Sequence, residues 1–124
     1  MMNIMPESVF MRLEQSLIAR RWLFQNEKAM QKEIETLLLD IGSPFYREHR
    51  LGASDIPDFF IPGSGEVIEV KWRCGELAIL RQLKRYGQYP EVKFLNLVAI
   101  RPMSLPATLS SKPCQGVFLW KQAF

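Results

Sequence analysis

Cysteine and histidine are scarce in this sequence. The 124 residues include two cysteines, Cys74 and Cys114, and a single histidine, His49. The cysteines do not stand in a metal-ligand spacing such as C-x-x-C, and nothing in the sequence supports a disulfide between them. We therefore expect a reduced protein of the cytoplasm, and we interpret His49 as a partly exposed strand residue rather than a catalytic one.

Long apolar runs, internal repeats and low-complexity tracts are absent as well. No apolar run approaches the roughly 18 residues that indicate a membrane-spanning helix, so no membrane partner is expected. The N-terminal segment contains Glu7 and lacks a long apolar core, which argues against a signal peptide. A composition of 48% apolar and 23% charged residues is typical of one globular domain.

Positive charge is concentrated in one segment, although the net charge is only +3. Between residues 71 and 85 there is one acid, Glu76, and the basic residues are Lys71, Arg73, Arg81, Lys84 and Arg85. A basic patch of this kind suits a polyanion such as nucleic acid. A solvated helix face gives the same pattern, so the patch alone does not decide between the two interpretations.

Apolar periodicity and capping residues predict three helices. Asn26 is a good N-cap for the second helix, and Gly42 closes it. The predicted helices run from Pro6-Glu7-Ser8 to Trp22 or Phe24, from Glu27 to about Asp40, and from Glu76 to Tyr86.

Five apolar or alternating segments between turn residues predict strands. The order of helix, helix, three strands, helix, strand, strand predicts an α/β fold with a mixed sheet flanked by helices. Residues 1–25 are expected to form an N-terminal helical extension of a single globular unit, 26–124. The predicted strands are Phe45–Leu51, Asp58–Ile61, Glu66–Trp72, Phe94–Ile100 and Gly116–Trp120, and residues 101–115 are expected to form a loop.

A predicted hairpin brings two acids together. If the four residues Pro62-Gly63-Ser64-Gly65 form its loop, Asp58 faces Glu69, and Lys71 shares their face. Two facing carboxylates repel each other, and a divalent cation between them gives a reason for the arrangement. Asp55 competes with Asp58, but it points to the opposite face of an extended segment unless a bulge intervenes.

The predicted helices add further polar groups. Glu27 falls within roughly 40° of the centre of the apolar stripe of its helix, so it is the acid of that helix expected to point at the sheet. Its alternative role is that of an acid favoured by the helix dipole. Gln82 and Tyr86 share a face of the third helix. They suit a metal-bound water, a phosphate or a nucleotide, or they form a polar rim.

Together these motifs resemble the PD-(D/E)XK nuclease superfamily. The resemblance runs from Glu27 to Ile100 and includes its namesake motif, Pro57-Asp58 followed by Glu69-Val70-Lys71. Glu27-x-x-Met30-Gln31-x-x-Ile34 is similar to the opening helix of small VRR-NUC nucleases, which are often phage-encoded. Gln82-Leu83-Lys84-Arg85-Tyr86 is similar to a motif of RecB-type nucleases. The resemblance implies a restriction-endonuclease-like core of helix, three-stranded meander, helix and strand.

The resemblance also implies roles for individual residues. Asp58 and Glu69 would bind Mg²⁺ or Mn²⁺ with the Val70 carbonyl as a third ligand, and no organic cofactor is expected. Glu27 would hold a second metal or a metal-bound water. Lys71 would orient the attacking water and stabilise the phosphorane, with support from Gln82. The expected nucleic-acid contacts are Arg47, Arg73, Lys84, Arg85 and Tyr86.

The expected function is that of a metal-dependent DNA endonuclease acting on branched, junction or nicked DNA in a bacterial or phage-infected cytoplasm. The residues do not decide whether the substrate is DNA or RNA, or whether the enzyme cuts from an end or internally. An inactive nucleic-acid-binding module on a nuclease-like fold and a small assembly protein are the alternatives. If the last strand is an edge of the sheet, it is expected to pair across a homodimer.

Overall fold

A six-stranded mixed sheet runs through the part of the chain that the computed structural model describes, residues 8–122. Pro6 and Glu7, expected at the start of the first helix, lie outside the described residues, as do the outer ends of the segments 1–25 and 26–124. The elements are α1 Val9–Ile18, α2 Glu27–Ile41, β1 Tyr46–Arg47, β2 Phe59–Ile61, β3 Glu66–Lys71, α3 Glu76–Tyr86, β4 Phe94–Ala99, β5 Thr108–Leu109 and β6 Lys112–Phe118.

The strands lie in the order β1-β2-β3-β4-β6-β5. β1, β2 and β3 form an antiparallel meander. α3 then carries the chain across so that β4 lies parallel to β3, and β6 lies parallel to β4. β5 pairs antiparallel with β6. The predicted α/β fold with a mixed sheet flanked by helices is confirmed.

The sheet separates two hydrophobic clusters. On one face, Phe10 of α1 and Ile34 of α2 pack in the same cluster as Phe59 and Ile68 of the hairpin. On the other face, Leu83 of α3 packs with residues of β3 and β4. Within the described residues, no helix combines the length and apolar character needed to cross a membrane.

The second and third helices have the predicted boundaries within a residue. The side chain of Asn26 accepts the N–H of Ala29 and so caps α2. Gly42 ends α2 in the left-handed conformation, with φ 81°, and its N–H donates to the carbonyls of Leu38 and Leu39.

Two predicted elements are shorter by several residues in the structure. α1 ends at Ile18, so the expectation that the first helix reaches Trp22 or Phe24 is wrong. The Trp22 indole turns back to donate to the Leu17 carbonyl at 2.7 Å. The strand expected over Phe45–Leu51 is limited to β1, because Glu48 has a φ of 50° and leaves the extended conformation.

The region expected to be a loop holds additional strand structure. β5 and the first residues of β6 form a hairpin whose turn, Ser110-Ser111, has positive φ values of 50° and 64°. Pro113 is tolerated in β6 because pairing with β4 begins only at Cys114. β5 covers only the first residues of β6, and within the described residues Gly116–Phe118 have no strand partner on the side away from β4, so pairing of the last strand across a homodimer stays a prediction.

Candidate metal-binding and catalytic site

The hairpin of β2 and β3 has the predicted register. Ile61 is paired with Glu66, Phe60 with Val67 and Phe59 with Ile68. The same register brings Asp58 beside Glu69, whose Oε1 accepts the backbone N–H of Asp58 at 3.1 Å. The short loop therefore places the two acids next to each other, as the sequence predicted.

Asp58 lies just before β2. Its carboxylate takes the place of a backbone carbonyl in the hydrogen-bond ladder between β2 and β3. Its Oδ2 accepts the N–H of Val70 on β3 at 2.8 Å. Its Oδ1 accepts the side-chain amide of Gln31 on α2 at 3.2 Å. The carboxylate is thereby fixed on the edge of β3 that β2 leaves unpaired.

Glu27 reaches the same edge from α2. Its Oε1 accepts the N–H of Trp72 at 3.1 Å, and Trp72 is two residues beyond Val70. In an extended strand, the N–H groups of residues two apart point the same way, and the carbonyl of each residue points with its N–H. Glu27, Asp58 and the Val70 carbonyl therefore share one strand edge. This supports the interpretation that Glu27 points at the sheet.

Glu69 lies deepest in the cluster, with 3% of its surface exposed. Its Oε2 contacts the ammonium group of Lys71 at 3.1 Å. Its Oε1 also accepts the hydroxyl of Tyr86, from α3, at 3.3 Å. Lys71 thus shares a face with Glu69, and helices from both sides of the sheet contribute groups to the cluster.

Burial and like charge disfavour ionisation of the two acids. Burial, followed by the negative charge of Asp58, raises the pKa of Glu69 to about 7. Burial also raises the pKa of Asp58, although the hydrogen bond from Val70 and the charge of Lys71 act in the opposite direction. The site therefore holds a strained acid pair, and a positive charge placed between its members would relieve the strain.

Lys71 stays charged in this setting. Burial acts to lower the pKa of Lys71, but the charge of Glu69 and the hydrogen bond to it outweigh burial and raise the pKa above its ordinary value. An ammonium group held in this way is a fixed positive charge at neutral pH rather than a proton acceptor.

The donor set fits a hard divalent cation. A carboxylate offers roughly four lone-pair sites, and the hydrogen bonds described above leave sites free on both acids. Mg²⁺ takes oxygen ligands, and it keeps several waters when few carboxylates are present. Within residues 8–122, no three His, Cys, Asp or Glu side chains already stand in a metal-holding arrangement. Asp58, Glu69, the Val70 carbonyl and water would therefore supply the ligands.

Gln31 is a site residue that the sequence argument did not single out. It donates to Asp58, and its Oε1 accepts from Arg47 at 3.4 Å. The signal was present, because Gln31 lies four residues after Glu27 and therefore on the same helix face. Arg47 itself lies over the ring of Phe59, at 4.8 Å, and pairs with Glu35 at 2.7 Å.

Asp55 is excluded from the cluster. Its carboxylate accepts the hydroxyl of Tyr89 at 2.7 Å and the guanidinium of Arg85 at 2.9 Å. These hydrogen bonds, that of Tyr89 first, lower the pKa of Asp55. The competition between Asp55 and Asp58 is resolved in favour of Asp58.

The residues expected from α3 divide into different environments. Tyr86 is fully buried, so the expectation that it contacts nucleic acid is wrong for its ring, which has no free face for stacking. Burial, followed by the charge of Glu69, raises the pKa of its hydroxyl, which remains a hydrogen-bond donor. Gln82 is half-buried one turn earlier, and it makes no hydrogen bond to the acid cluster within the described chain.

The remaining basic residues stay accessible. Arg73 and Lys84 are exposed, and Arg85 is about half exposed while it pairs with Asp55. They are available to a polyanion, as the basic segment indicated.

No protein-family model matches the chain, and no curated protein or solved structure matches it significantly.

Proposed function

We propose that this chain is a divalent-metal-dependent nuclease that hydrolyses DNA phosphodiester bonds, with a restriction-endonuclease-like core of the PD-(D/E)XK type. The carrying observation is the convergence of Asp58, Glu69 and Lys71 at the end of β3. The order α2, β1, β2, β3, α3, β4 also matches the core that the resemblance implies. A structure-specific endonuclease, acting on branched, junction or nicked DNA, is the form that we propose.

Mg²⁺ or Mn²⁺ would be held by Asp58, Glu69 and the Val70 carbonyl. When bound, such an ion polarises a phosphoryl oxygen and lowers the pKa of a bound water. The protein's part is to hold the carboxylates rigidly, and each of them is fixed by a backbone N–H at one strand edge. Such preorganisation means that little rearrangement is required when charge develops during the reaction.

Lys71 serves as an electrostatic clamp. Its ammonium group, fixed by Glu69 at 3.1 Å, can contact an oxygen of the scissile phosphate or orient the attacking water. Because its pKa is raised, the charge is present throughout the neutral range. Gln82 lies on the same helix face as Tyr86 and would support a phosphate or water from α3.

Glu27 and Gln31 act from α2. Glu27 lies on the same strand edge as Asp58 and would hold a metal-bound water or a second ion. Gln31 is a positioning residue, because it reaches the substrate only through the orientation of Asp58. Arg47, Arg73, Lys84 and Arg85 would contact DNA phosphates, and binding should weaken as salt concentration rises.

The proposal is tested with purified protein, plasmid DNA and branched oligonucleotides in Mg²⁺, Mn²⁺ or EDTA. Cutting is expected only with metal. Glu69→Ala and Lys71→Ala should each lower the rate by about 100-fold or more, since each removes a group that stabilises transition-state charge. Glu91→Ala and Lys93→Ala are matched controls, because both residues are exposed in the segment before β4, beside the turn of the hairpin and away from the acid cluster. Undiminished cutting by the Lys71 variant would contradict the assignment.

One observation favours an inactive nucleic-acid-binding module as the second candidate. Lys71 already neutralises Glu69, so the cluster has a cation of its own. In that case the protein should bind DNA at low salt without metal, and Mn²⁺ should neither raise its melting temperature nor release heat on titration. Thermal stabilisation by Mn²⁺ that is lost in Asp58→Asn would exclude this alternative.

A further inference from the structure

A cavity of about 250 Å³ lies where the ends of β3 and β4 meet the beginning of α3. Its lining includes Lys71 and Ala99, which are paired between the two strands, and Arg101 just beyond β4. Asp58 binds the opposite edge of β3, through the N–H of Val70. Lys71 therefore borders both the acid cluster and the cavity.

The walls of the cavity combine apolar surface with a few charged groups. Ile79 and Met103 supply apolar surface, and Glu76 supplies a negative group beside the positive groups of Lys71 and Arg101. Apolar walls with a small number of polar groups are the usual lining of a site for a planar organic ligand. A nucleobase has this character, because its faces are apolar and its edge carries hydrogen-bonding groups.

The size of the cavity limits what it can admit. Its volume of about 250 Å³ lies below the roughly 300–1,000 Å³ of pockets for drug-sized ligands. One base fits this space better than a base pair or a stack of bases. Lys71 itself lines the cavity, so a base in the cavity would lie beside a phosphate held at Lys71.

We propose that this cavity receives one unpaired nucleobase adjacent to the scissile phosphate, so that the preferred substrate is DNA with an unpaired nucleotide beside the cut. The inference rests on the proposed nuclease function and narrows its substrate. Arg101 contacts the phosphate of that nucleotide. Glu76 accepts hydrogen bonds from an exocyclic amino group, as acidic side chains do from cytosine N4.

The test uses single-stranded oligonucleotides that carry one abasic nucleotide, placed in turn at each position around the cut. Cleavage is measured with Mn²⁺, and binding is measured by fluorescence anisotropy with Ca²⁺. Loss of the base at one position next to the cut should weaken binding and cleavage by about tenfold, since the faces of the base are no longer buried against the apolar wall of the cavity. A fully paired duplex of the same sequence should be a poorer substrate than the single strand.

Two variants test the contribution of the cavity independently of the acid cluster. Met103→Trp fills the cavity and should reduce binding of the intact oligonucleotide to the level of the abasic one, with no further loss when the base is removed. Glu76→Gln leaves the volume unchanged and should alter the preference among the four bases at that position. Leu77→Trp is the matched control for Met103→Trp. Leu77 is next to Glu76 on α3, is 68% exposed and does not line the cavity.

The outcomes distinguish this inference from the nuclease proposal. If the protein cleaves DNA, but removal of a base has no effect at any position and Met103→Trp has normal activity, the cavity assignment is overturned and the nuclease proposal stands. If removal of the base weakens binding at one position only, and Met103→Trp abolishes this effect, the cavity assignment is supported even if no metal produces cleavage. Absence of both binding and cleavage would overturn both proposals.

Discussion

Glu27 of α2 and Trp72 at the end of β3 are joined by a hydrogen bond of 3.1 Å, from the backbone N–H of Trp72 to Oε1 of Glu27. This contact links the first turn of a helix to the strand edge that also carries Asp58. The same carboxylate therefore stabilises the fold and adds negative charge to the site. Substitutions of different kinds can separate these two contributions.

Glu27→Gln keeps an acceptor oxygen for Trp72, whereas Glu27→Ala removes it. We expect the alanine variant to lose about 1 kcal/mol of unfolding free energy relative to the glutamine variant, because a partly buried N–H is left without its partner. Both variants should lose DNA cleavage similarly, because both remove the charge. Urea denaturation and a cleavage assay give the two readouts.

Glu33→Ala is the control for this pair, since Glu33 lies on the same helix outside the cluster. Equal stability of the alanine and glutamine variants would show that the hydrogen bond contributes nothing measurable.

The raised pKa of Glu69 predicts that the site destabilises the metal-free protein at neutral and alkaline pH. Its pKa is about 7 in the folded chain against an ordinary value of 4.5, so the folded state binds more protons between these values. Protonated Glu69 therefore makes its full contribution to the unfolding free energy below about pH 4.5, and this contribution is lost as pH rises through about 7. Asp58 shifts in the same direction.

Glu69→Gln removes this titration while keeping a similar shape. Its unfolding free energy should fall less than that of the wild type between pH 4.5 and 8, and at pH 8 it should be the more stable protein, by an amount on the order of a few kcal/mol at most. Urea denaturation across this pH range, in EDTA, measures the difference. Parallel pH profiles of the two proteins would contradict a raised pKa at this position.

Metal binding should reverse this penalty. An ion that binds only the folded state adds about 2.7 kcal/mol at 100 times its Kd, and it must displace the proton of Glu69 at low pH. Mn²⁺ is therefore expected to raise the melting temperature more at pH 8 than at pH 5.5. Asp58→Asn should abolish the increase at both pH values, whereas Asp55→Asn, whose position is outside the cluster, should retain it.

The acid cluster was predictable from sequence because its geometry is local. A four-residue loop fixes the register of β2 and β3, and that register alone brings Asp58 to Glu69 with Lys71 on the same face. The boundaries of α2 were predictable for a similar reason, since Asn26 and Gly42 act within one turn of the helix ends.

The features that escaped prediction depend on tertiary contacts or on unusual backbone angles. The brevity of β1 follows from the positive φ of Glu48, and the β5–β6 turn uses two serines with positive φ, which are uncommon in that conformation. The role of Gln31 requires knowing that α2 lies over the start of β2. The burial of Tyr86 requires knowing which face of α3 meets the sheet.

Tyr86→Phe tests the reassignment of Tyr86 from a nucleotide contact to a buried support for Glu69. The substitution keeps the buried ring and removes only the hydroxyl that donates to Glu69 at 3.3 Å. Stability should fall by about 0.5–1.5 kcal/mol. Cleavage should also fall, because Glu69 loses one of the groups that orient it. DNA affinity in Ca²⁺ should change by less than about twofold, since a fully buried ring makes no contact with DNA.

Tyr89→Phe is the matched control for this substitution. Tyr89 follows α3 and donates to Asp55 at 2.7 Å, so its hydroxyl also serves a carboxylate, but one that lies outside the cluster. Its removal should leave the cleavage rate unchanged while lowering stability. A tenfold loss of DNA affinity in Tyr86→Phe, with stability and cleavage per bound substrate unaffected, would restore Tyr86 as a nucleic-acid contact and contradict its buried position.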